Sequence, residues 1–419
     1  MQAAWSGEKW QMDIGVGHRH MYLTILRNIR FFSAAEVCWQ AAETNLNIEQ
    51  IWAEWSDHET RSRLIYTWVV VDQELSLFYD TPPLLSITEL EGPVPDDDAL
   101  WRATSSSAWR QALQAPDDSV PATITALRNR PRSSLRDLFH FLSSNDTQRP
   151  EMARLTPFHL RLLLYPLHAL VSSFHQSLGL SSTMNQPLKL HRTMTQMSTM
   201  LQHAEIKSLL HRWRELADAA ATRQRTNLAA LDAANLVLFH LVALNLFTSF
   251  REIEAYARAC AAAAAAPGPS ALPASWLCDP EEVLVHCGQV LRLLRAMEPA
   301  RRPIWWAAAA YRAALVLWAY SASTEEGGER ACGGAEEGEM VPIDALPWED
   351  ASVQGFLRHR QGVPVLTRAG GERVGLGAPE GVLAACIEML ELGPMRCLVW
   401  EGVKCKLRVF ARACAGAAG

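Results

Sequence analysis

The sequence predicts an all-α protein, a large array of many helices, and three observations carry that prediction. Apolar residues recur at steps of three and four through most of the chain, the period of a helix with one buried face. No segment alternates apolar and polar residues as a half-buried strand would. Hydrophobic residues make up 49% and charged residues 20% of 419 residues, enough apolar material for a large core and too much for a disordered chain.

Helices are expected over residues 18–32 and 34–46, then over Asp57–Tyr79, which shows the clearest pattern. There Leu64, Trp68, Val71, Leu75 and Phe78 fall on one face at steps of four, three, four and three. Thr81-Pro82-Pro83 ends that helix, since proline cannot continue the hydrogen-bond ladder. The stretch from Leu84 to Pro95 is then extended or irregular, with Leu84, Leu85 and Leu90 plugging the helical array. A helix from Ala99 to Leu113 follows Asp96, Asp97 and Asp98, whose carboxylates suit a helix start. Further helices are expected at 121–130, 133–144, 155–178, 188–219, 227–260, 280–297, 303–322 and 378–415. The most apolar windows, Leu228–Phe247 and Ile304–Tyr320, carry Asn235, His240 and Arg312 mid-span, so they read as buried helices rather than membrane spans.

The periodicity divides the chain into a helical part at 1–260, an Ala- and Pro-rich linker at 261–275 and a second helical part at 276–419. Within the last, Thr324 to Glu339 mixes glycine with six glutamates and reads as a solvated, disordered acidic loop. No leader or apolar signal core opens the sequence.

Chemistry leaves little trace. No phosphate loop, dinucleotide fingerprint or nucleophile elbow is present, so no catalytic, cofactor-binding or metal-binding residue is assigned and the chain is not read as an enzyme. The Asp96–Asp98 cluster invites comparison with the metal site of helical terpene synthases, a remote alternative, but it follows Pro95 in a turn and suits capping better. His18 and His20 lack a third ligand at usable spacing, and His159, His168 and His175 read as core-edge residues beside Leu and Phe. Trp52, Trp55 and Trp68 read as packing rather than as a base-stacking platform, since aromatic rings bury large areas. The nine cysteines form no Cys-x-x-Cys pair and read as small buried residues of a reducing compartment. A net charge of −6, spread along the chain, argues against a direct grip on nucleic acid.

The run from Glu54 through Arg61, Arg63, Trp68 and Asp72, continuing through Leu75–Ser86, Pro93, Pro95 and Leu100-Trp101 to Trp109, resembles the fungal-specific transcription factor regulatory domain. It is closest to the subset that carries two-Cys/two-His zinc fingers upstream. Arg302-Pro303 through Tyr320 resembles a later helix of those proteins, and 381–410 does so loosely. The resemblance implies the all-α regulatory-domain fold and a nuclear regulator of RNA polymerase II transcription, controlling metabolic genes. It also implies a DNA-binding module, and zinc, that these residues do not contain: DNA is contacted through another segment. Expected partners are the transcription machinery or a second copy, with a small-molecule effector and no membrane. An alternative is a finger-less interaction protein that modulates other factors. Within the resembling segment, Asp72 lies near the apolar face, so it is expected to be buried and paired with an arginine or backbone amides. Arg63 is expected in solvent, against Asp57, or against a carboxylate of another helix.

Overall fold

The computed structural model describes residues 5–33, 47–113, 132–146, 149–183, 192–223, 229–262, 279–326, 339–391 and 398–417. Among them the helices are α1 (Lys9–Asn28), α2 (Ile48–Phe78), α3 (Asp98–Trp101), α4 (Ser106–Leu113), α5 (Leu135–Ser143), α6 (Pro150–Ala153), α7 (Pro157–Thr183) and α8 (Arg192–Arg223). They continue as α9 (Ala229–Phe247), α10 (Phe250–Ala262), α11 (Pro280–Ala296), α12 (Trp306–Glu326), α13 (Ala351–His359), α14 (Pro379–Glu391) and α15 (Leu398–Ala417). The fold is mostly α-helical, as expected from the periodicity.

Four helices form the centre. In α7 every residue from His159 to His168 is buried, and comparable unbroken runs occur in α9, α11 and α12. A helix buried on all sides must be surrounded by others. Accordingly α9 packs between α7 and α11, α11 against α12, and α12 against α14 and α15. One hydrophobic cluster runs from Trp5 to Phe410, and a smaller one joins Ile51, Trp55, Leu100, Trp109 and Leu113. No helix among the described residues is long and apolar enough to cross a membrane.

Several elements differ from expectation. The helix expected from Asp57 starts at Ile48, where the Asn47 amide donates to Gln50 Oε1 at 3.3 Å. Asp57 and Glu59 therefore sit inside the helix, and Glu59 is buried. Leu64 is exposed, whereas Val71 to Leu77 are all buried, so the far end of α2 is enclosed rather than one-faced. The helix expected over 99–113 is two, because Ser105 Oγ accepts the Ala108 amide at 3.2 Å and starts α4 afresh. The segment 227–260 is split at Thr248-Ser249, and 378–415 is two helices.

A small sheet, for which the sequence shows no alternating pattern, adds to the helices. Met340–Pro342 (β1), Val363–Thr367 (β2) and Arg373–Gly375 (β3) form it, with β2 central, parallel to β1 and antiparallel to β3. Strands of three to five residues are too short to show a period, and Pro342 and Pro364 count against a strand by the usual rules. Helix α13, capped by Asp350 Oδ1 on the Ser352 amide at 2.8 Å, was likewise not foreseen. The expected helices at 34–46 and 121–130 lie outside the described residues. So does most of the linker, apart from Ala261 and Ala262 at the end of α10, and most of the acidic loop, whose first residues continue α12 to Glu326.

Candidate functional site

Two places concentrate buried polar groups. The first is the junction where the segment 84–96, an irregular strap with one 3-10 turn at Ile87–Glu89, crosses α2 and α7. Asp72, fully buried, accepts through Oδ2 from the Leu84 amide (2.8 Å), the Leu85 amide (3.2 Å) and the Tyr165 hydroxyl (2.6 Å). Arg19, reaching in from α1, brings Nε to 3.5 Å from Asp72 Oδ1 and donates to Ser76 Oγ at 3.1 Å. Burial and the Asp72 charge push the Tyr165 phenol well above its ordinary range, so it stays protonated and donates. The expected pairing of Asp72 thus takes both forms at once, an arginine and backbone amides.

The rest of the segment is tied down in the same way. The Tyr66 hydroxyl donates to the Gly92 carbonyl at 2.7 Å, the His159 Nε2–H meets the Pro95 carbonyl at 2.7 Å, and both Glu59 oxygens accept the Asp96 amide at 3.0 and 3.1 Å. Of the three expected plugs Leu85 and Leu90 are buried, and Leu84 is half-buried. Arg63 does not meet Asp57: it pairs with Glu59 (2.6 Å) and Asp98 (2.9 Å) and lies over the Trp101 ring. Burial, then the nearby Asp96 carboxylate, raise Glu59 to about 7.

The aspartate cluster resolves into separate roles. Asp97 Oδ1 caps α3 on the Ala99 amide at 2.7 Å, Asp96 accepts from the Trp55 indole at 3.1 Å, and Asp98 takes Arg63. The adjoining cavity, which Asp96 lines with Glu151 and Arg132, measures about 30 Å³. That holds a water or two, not a polyisoprenoid substrate. Trp55 packs on Trp109 and Trp68 on Tyr22, so the tryptophans are packing residues. His18 and His20 are exposed on α1. His168 is deeper than a core-edge residue: burial, with Arg312 and Arg161 nearby, pushes it down to about 3. Cys287 and Cys386 are buried as expected, but Cys405 is exposed.

The two segments that carry the resemblance meet. Arg312 of α12 donates to Asp80 Oδ1, at the end of α2, at 2.7 Å, and Trp305 stacks on Phe78 with centroids 5.5 Å apart. They are 232 residues apart in sequence, and no local pattern announces the contact.

The second place is a cleft of about 370 Å³ between α8, α9, α11 and the segment from Leu346 to Gln354. Its floor is aromatic. Phe239 stacks on Trp213 at 4.9 Å, Phe247 stacks on His286 at 6.0 Å, and the Trp348 ring lies 5.0 Å from His286 and 5.5 Å from His240. The Trp348 wall is held close to α11. Gln289 Nε2 donates to the Ile343 and Leu346 carbonyls at 3.2 and 2.8 Å, and Gln354 Nε2 to the Trp348 carbonyl at 2.8 Å. Gly288 permits this approach, because a Cβ there would strike the Ile343 carbonyl. Arg214 ties α8 to the same wall through Glu349, and Asp218, one turn on in α8, braces it.

Behind the cleft wall the fully buried His240 brings its Nδ1 to 2.8 Å from Nδ1 of His286, which lines the cleft. Burial pushes His286 down to about 3 and His240 well below its ordinary value, so both rings are neutral near pH 7 and one Nδ1 donates to the other. Glu282, 3.6 Å from His286 Nε2, favours a proton there, which makes His240 Nδ1 the donor in the pair. A pair held neutral in this way is no general acid–base dyad at neutral pH. None of these cleft residues was singled out as a site from sequence. The available signal was polarity inside an apolar run, His240 within Leu236–Leu246 and His286 within Val283–Val290.

Comparison with known proteins gives the context. No protein-family model matches the chain, and no solved structure does. It is 39% identical to a transcription factor of Zymoseptoria tritici over 94% of this chain and 42% of that protein. It is 34% identical to Transcription factor 1 of Elsinoe fawcettii, over 97% of this chain and 41% of that protein. With Transcription factor opdJ of Penicillium oxalicum the identity is 31%, over 94% of this chain and 49% of that protein. The chain spans less than half the length of these curated relatives, and over nearly its whole length it is a homologue of proteins named as fungal transcription factors.

Proposed function

We propose that the chain is the helical regulatory portion of a fungal RNA polymerase II transcription factor, nuclear, not an enzyme, and acting on metabolic genes. The observation that carries this is the extent of the similarity: 94–97% of the chain aligns with proteins named transcription factors. The junction of Asp80 with Arg312 supports it, since the two stretches that resemble the regulatory domain build one structural unit. DNA contact is assigned to a zinc module on another part of the protein, because this chain is acidic overall, at −6.

Tethering tests the reading. Fused to a heterologous DNA-binding domain upstream of a reporter, the chain should change transcription several-fold, up or down. Reporter output equal to that of the DNA-binding domain alone would remove the proposal.

A further inference from the structure

We propose that the cleft between α8, α9, α11 and residues 346–354 binds a planar aromatic small molecule that carries no net negative charge. A role for the occupant in regulation rests on the functional reading above; the binding itself does not.

Size, shape and charge each narrow the ligand. About 370 Å³ falls in the range of roughly 300–1,000 Å³ typical of small-molecule sites and leaves room for a few fused rings. The lining is preformed rather than adaptable: Phe239 is backed by Trp213, Phe247 by His286, and Trp348 is fixed through its carbonyl by Gln354. Aromatic walls favour offset or edge-to-face contact with another ring, and their faces attract cations. Lys207, 5.4 Å from the Phe247 centroid, already uses one such face.

The charges exclude an anion. Four carboxylates line the cleft, Glu215, Asp218, Glu282 and Glu349, against Lys207 and Arg214. Both of those cations are engaged: Lys207 is 3.0 Å from Glu282 and 3.4 Å from Asp279, and Arg214 is held by Asp218 and Glu349. Of the two histidines that line the cleft, His286 is uncharged and His211 stands 3.3 Å from Glu215. An incoming carboxylate or phosphate would therefore meet a net-negative rim with its cations already paired, at a repulsive cost. A neutral or cationic ring meets none.

Isothermal titration of the purified chain with three tricyclic probes tests this: proflavine (cationic), acridone (neutral) and anthracene-9-carboxylate (anionic). Proflavine and acridone should bind with one-to-one saturation in the micromolar range, and the carboxylate about tenfold more weakly or worse. Trp348→Ala should weaken proflavine about tenfold, while Trp348→Phe stays within about threefold of the parent. Glu215→Lys, on the exposed rim, should narrow the gap between proflavine and the carboxylate about threefold, and it keeps the test alive if Trp348→Ala loses its helical circular dichroism. No saturable binding of any probe, tightest binding of the carboxylate, binding indifferent to a folded Trp348→Ala, or an unchanged gap in Glu215→Lys would each overturn the proposal.

Discussion

The junction around Asp72, built on α2 and α7, and the cleft around His286, built on α8, α9 and α11, use buried polarity in opposite ways. At the junction a charged carboxylate is surrounded by donors, two amides, a phenol and a guanidinium, and the cavity further along the same segment, beside Asp96, is about 30 Å³. At the cleft the His286 ring is held neutral, and about 370 Å³ lies open beside it. The first arrangement fixes the chain's path and the second leaves a surface with capacity to bind. A buried charge is tolerable only where its partners are supplied in full.

That contrast can be broken by mutation. The largest effect is expected from Asp72→Ala, which strands the Leu84 amide and leaves the Arg19 guanidinium buried without its carboxylate, while the Leu85 amide keeps the Tyr165 hydroxyl. Urea denaturation should show a loss of about 3–5 kcal/mol; a loss below about 1 kcal/mol would mean the strap is not held by Asp72. Next is a pH effect at Glu59. Its folded carboxyl is raised to about 7, so the neutral form is the one the fold favours. Its contribution is present below about pH 4.5 and is lost as pH rises through about 7, on the order of 2–3 kcal/mol. Glu59→Gln should flatten the stability profile between pH 5 and 8, and an unchanged slope would assign it to other groups.

Trp348→Ala, on a half-buried ring, should cost less than Asp72→Ala, about 1–2 kcal/mol. Equal losses would erase the distinction between a joint and a wall. Smallest is the cap: Asp97→Ala should cost about 1 kcal/mol, and Asp97→Asn only a few tenths, because asparagine caps equally well. A large loss with asparagine would show that the charge of Asp97 does more than cap α3.

The two regions also differ in how far they could be read in the sequence. Asp72 announced its need for partners, because a carboxylate between Val71 and Leu75 on an apolar face must find them. Pro82-Pro83 announced the strap. Neither Arg19 nor Tyr165 could be named as the partner, since they lie 53 and 93 residues away and only the fold brings them in. The cleft was less visible still. His240 showed as a polar interruption in an apolar helix, but its partner His286 and the Trp348 wall come from separate elements. The sheet that precedes and follows α13 was hidden by its short strands and its prolines. The helical array was legible because a 3.6-residue period persists over many turns, and that advantage disappears for elements of three to five residues.

Amide hydrogen exchange on the purified chain measures the difference between the regions most directly. The account predicts that the Leu84, Leu85 and Asp96 amides exchange in the slowest class, by global unfolding, and that Trp348 and Glu349 exchange on the order of a hundredfold faster through local opening. Equal protection in the two places, or faster exchange at the strap, would contradict it.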